Sequence, residues 1–427
     1  MAGWRVGAVF GLFVVGCGSN VVVGGADDAP SGAGGGGESA TSVTSTGGSP
    51  PEGGGGEAPA VPCHPLLTGE PIVAHPADTN FYPTSAVATL ADSAGERVVF
   101  LSEWAQYPTS KPKVPGGPYT RYVSSKAWET WPPTFSLVDA FEPLRRGAKA
   151  APAFDSFSVV GVRIKTANPG LFYRASHSYE DEPFLLLSAP NAPMPLALAR
   201  AGTRALVLTE GPLLFLVDDA AGLLATIPLG CGSSPVRGHA IPSNDGFLVV
   251  TSRAAGCSAS EPTLASTRLD VDGGVTHGGA IAATDVQHVE LVQTNEQTWL
   301  LFSVDHETHD LWAARVRDDL SIDAPMLLLK DFDGSADFAV APADEGLVLS
   351  YATTAHGLVA QRWSPPNPLP SAFLDIPDPA PLRARPSLTA HAGGREWVVG
   401  WVAGDVVAAE VPETPPATYV ARFGCEP

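Results

Sequence analysis

Basic residues are scarce in this chain: 25 Lys and Arg stand against 45 Asp and Glu, for a formal net charge of −20. So acidic a body disfavours nucleic acid and anionic membrane surfaces as partners, because both repel negative charge. Recognisable catalytic signatures are lacking too. There is no GxSxG, no HExxH, no P-loop, and no GxGxxG in a strand–helix setting, which removes the best-marked hydrolase, zinc-protease and nucleotide-binding classes. The sialidase-type Asp box is missing, and so are the WD and kelch signatures. With no CxxC pair, a structural zinc site has no support. No apolar run is long enough to cross a bilayer comfortably; the longest candidate is Val6–Val15.

What the chain does contain is a repeated sentence, clearest at Thr298–Asp318, TWLLFSVDHETHDLWAARVRD. Two apolar, aromatic and β-branched runs flank the polar break Asp305–Asp310, which is the pattern of a hairpin. The second run recurs as small, any, charged, apolar: Ser266–Leu269, Ala313–Val316, Ala360–Trp363 and Ala408–Val411. Its charged position falls at 268, 315, 362 and 410, in steps of 47, 47 and 48. The preceding run recurs at Gly246–Val250, Trp299–Phe302, Gly346–Leu349 and Trp397–Gly400, with weaker copies at Arg97–Leu101, Ser156–Val162 and Arg204–Leu208. Seven copies of a four-stranded unit at this period predict an all-β fold, a β-propeller of seven blades with about four antiparallel strands each. One four-stranded sheet cannot hide both faces alone, so each must pack on its neighbours.

Three segments are expected. Residues 1–17 have the form of a secretory signal, with Arg5 at the start, the short apolar run, and then Val14-Val15-Gly16-Cys17. This resembles the lipobox of bacterial lipoproteins. The resemblance implies that cleavage leaves Cys17 as a lipid-bearing N-terminus and that the membrane is a partner through that lipid. Gly18 after the cysteine resembles lipoproteins sent on to an outer membrane or the cell surface. Residues 18–62, rich in Gly, Ser, Thr and Pro, are too poor in large apolar residues to fold. They read as a tether spanning roughly 35–40 Å. Residues 63–427 form the propeller domain.

Of five cysteines, Cys17 is taken by the lipid, leaving Cys63, Cys231, Cys257 and Cys425. Export to an oxidising compartment predicts disulfides. The expected pairs are Cys63–Cys425, joining the ends that a ring must bring together, and Cys231–Cys257. The latter would close a loop of about 25 residues, worth roughly 3–4 kcal/mol in the chain-entropy model.

Candidate chemistry lies in three places. Residues 101–175 reverse the charge balance, with ten basic residues against five acids, and are rich in aromatics. Trp104, Tyr107, Lys111, Lys113, Tyr119, Arg121 and Tyr122, on an enlarged connection, would suit a sugar ring or an anionic glycan through stacking and hydrogen bonds. His306 and His309 among three acids could hold a divalent ion. Asp331, Asp333 and Asp337 around Gly334 have the look of a short calcium loop but lack the ligands of a full one. No cofactor is otherwise implied. The resulting expectation is a lipid-anchored binding or scaffold propeller for a glycan or an envelope protein. The alternative is a propeller hydrolase or lyase of polysaccharide, which requires carboxylates or histidines at the channel mouth. Replacing Cys17 with Ser is expected to move the protein from the membrane fraction to the soluble one and to abolish palmitate labelling. Retention at the membrane would refute the lipid anchor.

Overall fold

A computed structural model of the chain describes residues 63–77, 81–90, 97–106, 119–125, 128–141, 146–152, 157–163, 168–175, 183–211, 213–229, 236–253, 262–294, 297–305, 309–330, 338–353, 357–377, 382–391, 394–404 and 416–425. These form seven antiparallel sheets, each of four or more strands and each one blade of a propeller, with no helix among the described residues. Blade one comprises Phe81–Leu90, Val98–Gln106, Tyr119–Ser125 and Ser136–Phe141, and blade two Arg146–Pro152, Phe157–Arg163, Gly170–Arg174 and Phe184–Ser188. Blade three is built from Pro195–Ala201, Arg204–Thr209, Leu213–Asp218 and Gly222–Pro228. Blade four holds Gly238–Ser243, Gly246–Arg253, Thr263–Asp270 and Val275–Ala282. In blade five the strands are Val286–Gln293, Thr298–Asp305, His309–Val316 and Met326–Leu329. Phe338–Pro342, Leu347–Thr353, Gly357–Trp363 and Leu374–Ile376 make blade six. Blade seven takes Leu382–Ala390, Glu396–Ala403 and Ala417–Cys425, and is completed from the other end of the chain by Pro65–Leu67 and Ile72–Pro76.

The second strand of each blade is the apolar run seen in the sequence, and its two faces explain why the run is unbroken. In blade five, Trp299 and Leu301 join the cluster shared with blade six, while Leu300, Phe302 and Val304 join the cluster shared with blade four. In blade one, Val98 and Phe100 pack toward blade seven, and Val99 and Leu101 toward blade two. Seven such clusters occur, one between each adjacent pair of sheets, so the ring closes on itself. The innermost strands carry small residues, among them Ala148, Ala151, Ala197, Ala199, Ala240, Ala339 and Ala341. That fits the narrowing of space toward the axis. The outermost strands turn more side chains to water, as Val275–Ala282 shows.

The glycines that open the repeat in blades four and six are required sterically. Gly246 has φ +148° and Gly346 φ +93°, and a Cβ there would lie 2.1 Å from Leu269 O and 2.4 Å from Trp363 O. The repeat's charged position also acquires a job. Arg362 Nη2 lies 2.8 Å from Asp344 Oδ1, and Arg268 Nη2 donates to Asp318 O at 2.9 Å. These arginines fasten the loops on one rim. In blade seven the corresponding residue is Arg422, which pairs with Glu396 and sits opposite Val398 as Arg362 sits opposite Val348. The third strand expected at Ala408–Val411 is thus Ala417–Cys425 instead, and 408–411 lie outside the described residues. A longer insertion precedes that strand, so the constant step fails in the last blade.

Between blades two and three, Arg200 is the hub of a buried polar group. Its Nη2 lies 2.5 Å from Asp219 Oδ2, and its Nη1 donates to Tyr173 Oη and Ser158 Oγ at 2.5 Å each. Burial opposes the guanidinium charge, but the hydrogen bonds it donates to Asp219 and Tyr173 and the electrostatic attraction of both together outweigh burial and hold Arg200 above its ordinary pKa. Desolvation raises the Tyr173 phenol well above its usual range, so the tyrosine stays neutral. In blade six, burial pushes the Tyr351 phenol up to about 12, and it donates to Gln361 Oε1 at 2.6 Å.

Closure is made by the chain ends. Pro65, Leu66 and Leu67 pair with Cys425, Gly424 and Phe423, and Ile72–Pro76 pairs further along the same strand. Cys63 and Cys425 are disulfide-bonded, as expected. Buried Ser102 Oγ lies 2.7 Å from both His75 Nδ1 and Thr418 Oγ1, linking blade one, the N-terminal strand and blade seven. Cys17, Cys231 and Cys257 lie outside the described residues. The bridge spans 362 residues, for which chain entropy gives an upper figure of roughly 5–6 kcal/mol. Cys63→Ser is therefore expected to lower the melting temperature and to expose residues 63–77 to protease ahead of the rest of the ring, read by limited proteolysis with mass spectrometry.

Candidate functional site: the axial channel

The seven innermost strands surround a cavity of about 600 Å³, to which every blade contributes. Much of the wall is apolar, including Val87, Ala150, Leu198, Ile241, Val340 and Leu388. Five titratable side chains interrupt it: Glu103 on blade one, Lys149 on blade two, Glu210 on blade three, His239 on blade four and Glu290 on blade five.

Strand direction places them in height. First strands begin, and second strands end, at the rim where second and third strands connect. Glu210 directly follows the second strand of blade three, and His239 is the second residue of the first strand of blade four. Both are near that rim. Glu103 is in the same half of its strand, while Lys149 and Glu290 sit at mid-height. Pro242 and Pro342 line the other end, at or next to the last residues of their strands. The titratable groups thus gather at mid-channel and at the mouth under the second-to-third-strand loops. Histidine and carboxylate side chains on the axis are what the hydrolytic alternative requires.

Each acid has a defined partner. Glu103 Oε1 accepts the Ala148 amide at 2.7 Å. Glu210 Oε1 is 3.7 Å from Arg237 Nη1. Glu290 is bound on both oxygens: Oε1 is 2.8 Å from His288 Nε2 and Oε2 is 3.1 Å from His239 Nε2. His288 and Glu290 are two apart on one strand, so the pleat turns both to the same face. Their neighbours Val289 and Leu291 are buried on the other. That alternation, VQHVELVQ, was the available sequence signal for this site. It remained hidden because nothing in the sequence alone says that this strand lines the axis.

The positions expected from sequence fall elsewhere. The strand in blade one runs to Gln106, so Trp104 is within it and not on an enlarged loop. Its side chain is fully buried, with the His75 ring edge-on at 6.3 Å. Ser102 and Glu103 look like a strand end in the sequence; partners from other segments satisfy them and the strand continues. Tyr119, Arg121 and Tyr122 are on the third strand, where Tyr119 stands opposite Trp104. Tyr107, Lys111 and Lys113 lie outside the described residues, as do His306 and the Asp331, Asp333, Asp337 motif. His309 opens the third strand of blade five, its Nδ1 3.6 Å from Asp305 Oδ1. Among the described residues no group of three or more His, Cys, Asp or Glu is arranged to hold a metal ion. Trp104→Ala is therefore expected to act on stability, by about 3–5 kcal/mol, read by chemical denaturation. An unchanged denaturation midpoint would restore Trp104 to the surface.

No family model matches this chain, and no curated protein matches it. Solved structures of similar outline include KlAtg21 in its complex with the coiled coil of AgAtg16, at 11% identity and TM-score 0.47, covering 79% of this chain and 98% of that one. They also include the α-L-arabinofuranosidase Arb93A of Fusarium graminearum with an iminosugar inhibitor, at 12% identity and TM-score 0.49, covering 83% and 98%. The GH93 α-L-arabinofuranosidase of the same organism with arabinobiose gives 12% and 0.49, covering 82% and 97%.

Proposed function

We propose that this chain is a lipid-anchored extracytoplasmic propeller that hydrolyses glycosidic bonds in its axial channel. One observation carries the reading: glutamates from three alternate blades, Glu103, Glu210 and Glu290, open on one cavity whose size suits a small ligand. Glycoside hydrolysis needs two carboxyl groups on either side of the scissile bond, one to protonate the leaving oxygen and one to act as nucleophile or base. Glu290, bound on both oxygens by ring nitrogens, is the candidate for the second role. Glu103 and Glu210, reaching the channel from other blades, are the candidates for the first. The apolar wall would pack against sugar ring carbons. Cys17 and the tether would hold this ring away from the membrane within reach of envelope or environmental polysaccharide. At 12% identity the arabinofuranosidase is alike only in outline, and the proposal rests on the channel's own side chains.

Binding without turnover is favoured by a different observation. The three channel carboxylates already have protein partners, in Ala148, Arg237 and the histidine pair, which suits a wall that fixes shape. Assaying the protein from Cys63 onward against a panel of aryl glycosides and plant and bacterial polysaccharides separates the two. Turnover of at least one substrate is expected, falling by roughly a thousandfold or more in Glu290→Gln with the fold retained. Saturable binding of an oligosaccharide with no turnover across the panel would leave the scaffold reading standing and remove the hydrolase.

A further inference from the structure

Glu290 meets His239 and His288 where blades four and five adjoin. The Leu291 amide donates to His239 Nδ1 at 3.2 Å. An amide N–H can only donate, so Nδ1 presents a lone pair and the neutral ring carries its proton on Nε2. That proton faces Glu290 Oε2, at 3.1 Å. The second carboxylate oxygen is taken by His288 Nε2, whose ring lies at 64° to Phe338 of blade six with centroids 4.8 Å apart. Three consecutive blades thus fix the orientation of one carboxylate. The side chains are only partly exposed, Glu290 at 18% and His288 at 10%.

We infer that His239 is a positioning residue: held in its Nε2–H tautomer by the Leu291 amide, it fixes the plane of the Glu290 carboxylate and keeps it in the ionised, hydrogen-bond-accepting state. The inference rests on the hydrolase proposal for its use, since an ionised and fixed carboxylate is what a nucleophile or base must be. The same tautomer argues against reading two histidines and a carboxylate as a metal site. A ligating ring nitrogen must be free of its proton, and Nε2 of His239 is not. Other charged groups line the same channel. Lys149 favours the ionised form of Glu290, while Glu103 and Glu210 oppose it. The two histidines meet its two oxygens, at 3.1 and 2.8 Å.

The test uses the full chain in detergent. In ¹⁵N spectra of histidine-labelled protein, His239 is expected as the Nε2–H tautomer between pH 6 and 8; an Nδ1–H ring or an imidazolium there overturns the inference without any variant. Glutamate carboxyl-¹³C titration, with Glu290 assigned by its loss in Glu290→Gln, then reads the consequence. His239→Asn leaves an acceptor for Leu291 but withdraws the donor from Glu290. It is expected to raise the Glu290 midpoint by about one pH unit, a tenfold gain in proton affinity. His239→Gln, which returns an N–H near the Nε2 position, is expected to reverse most of that. A midpoint unmoved by His239→Asn, with thermal stability retained, sinks the assignment. With a substrate from the panel in hand, His239→Asn should lower kcat by tenfold or more at unchanged KM and shift the acid limb of the pH profile upward. If no glycoside is turned over by the unmodified protein, the hydrolase proposal fails alone, and the tautomer and titration still decide the role of His239.

Discussion

The constraint on which everything else depends is that each second strand is apolar on both faces. A sheet with one apolar face can rest on a single partner. A sheet with two needs a neighbour on each side, and that neighbour needs another, until the series meets its own beginning. The seven interblade clusters are the record of that condition being met. Leu300 and Leu301, adjacent in the chain and both inaccessible to solvent, serve different interfaces. Neither interface forms properly without the ring.

Closure concentrates at one joint. The outer position of the last blade is filled by the segments beginning at Pro65 and Ile72, from the other end of the chain. Hydrogen bonding, a disulfide and a buried polar chain through Ser102 all act there. Three kinds of interaction at one seam are what a ring closed by non-adjacent ends requires, because ordering those ends costs loop entropy found at no other blade junction.

The channel is a by-product of the same packing. Small residues on the innermost strands let seven sheets converge without filling the axis, so the lumen remains, and its polar content is set by a handful of positions. The titratable positions are spread over five blades, from Glu103 to Glu290, nearly two hundred residues apart. Glu290 is the most constrained of them, because adjoining blades deliver a histidine to each of its oxygens. Elsewhere charge is used for fastening: Arg200 with Asp219 at the seam of blades two and three, Arg362 with Asp344 and Arg422 with Glu396 at the rim.

Local pattern determined the all-β class and the seven copies, because a strand's burial on both faces and a repeat's period are written in consecutive residues, and the Cys63–Cys425 pair followed from the closed ring that those copies imply. The second strands from Val98 to Glu396 were legible for that reason, and so were the glycines at 246 and 346. Tertiary structure alone decided that Trp104 is core, that Arg422 and not Glu410 continues the repeat, and that Glu103, Glu210, His239 and Glu290 share one cavity. Each of those facts depends on which strand lies innermost and on which distant segment satisfies a polar group. No window of neighbouring residues contains that information, since the axis exists only once the ring has closed.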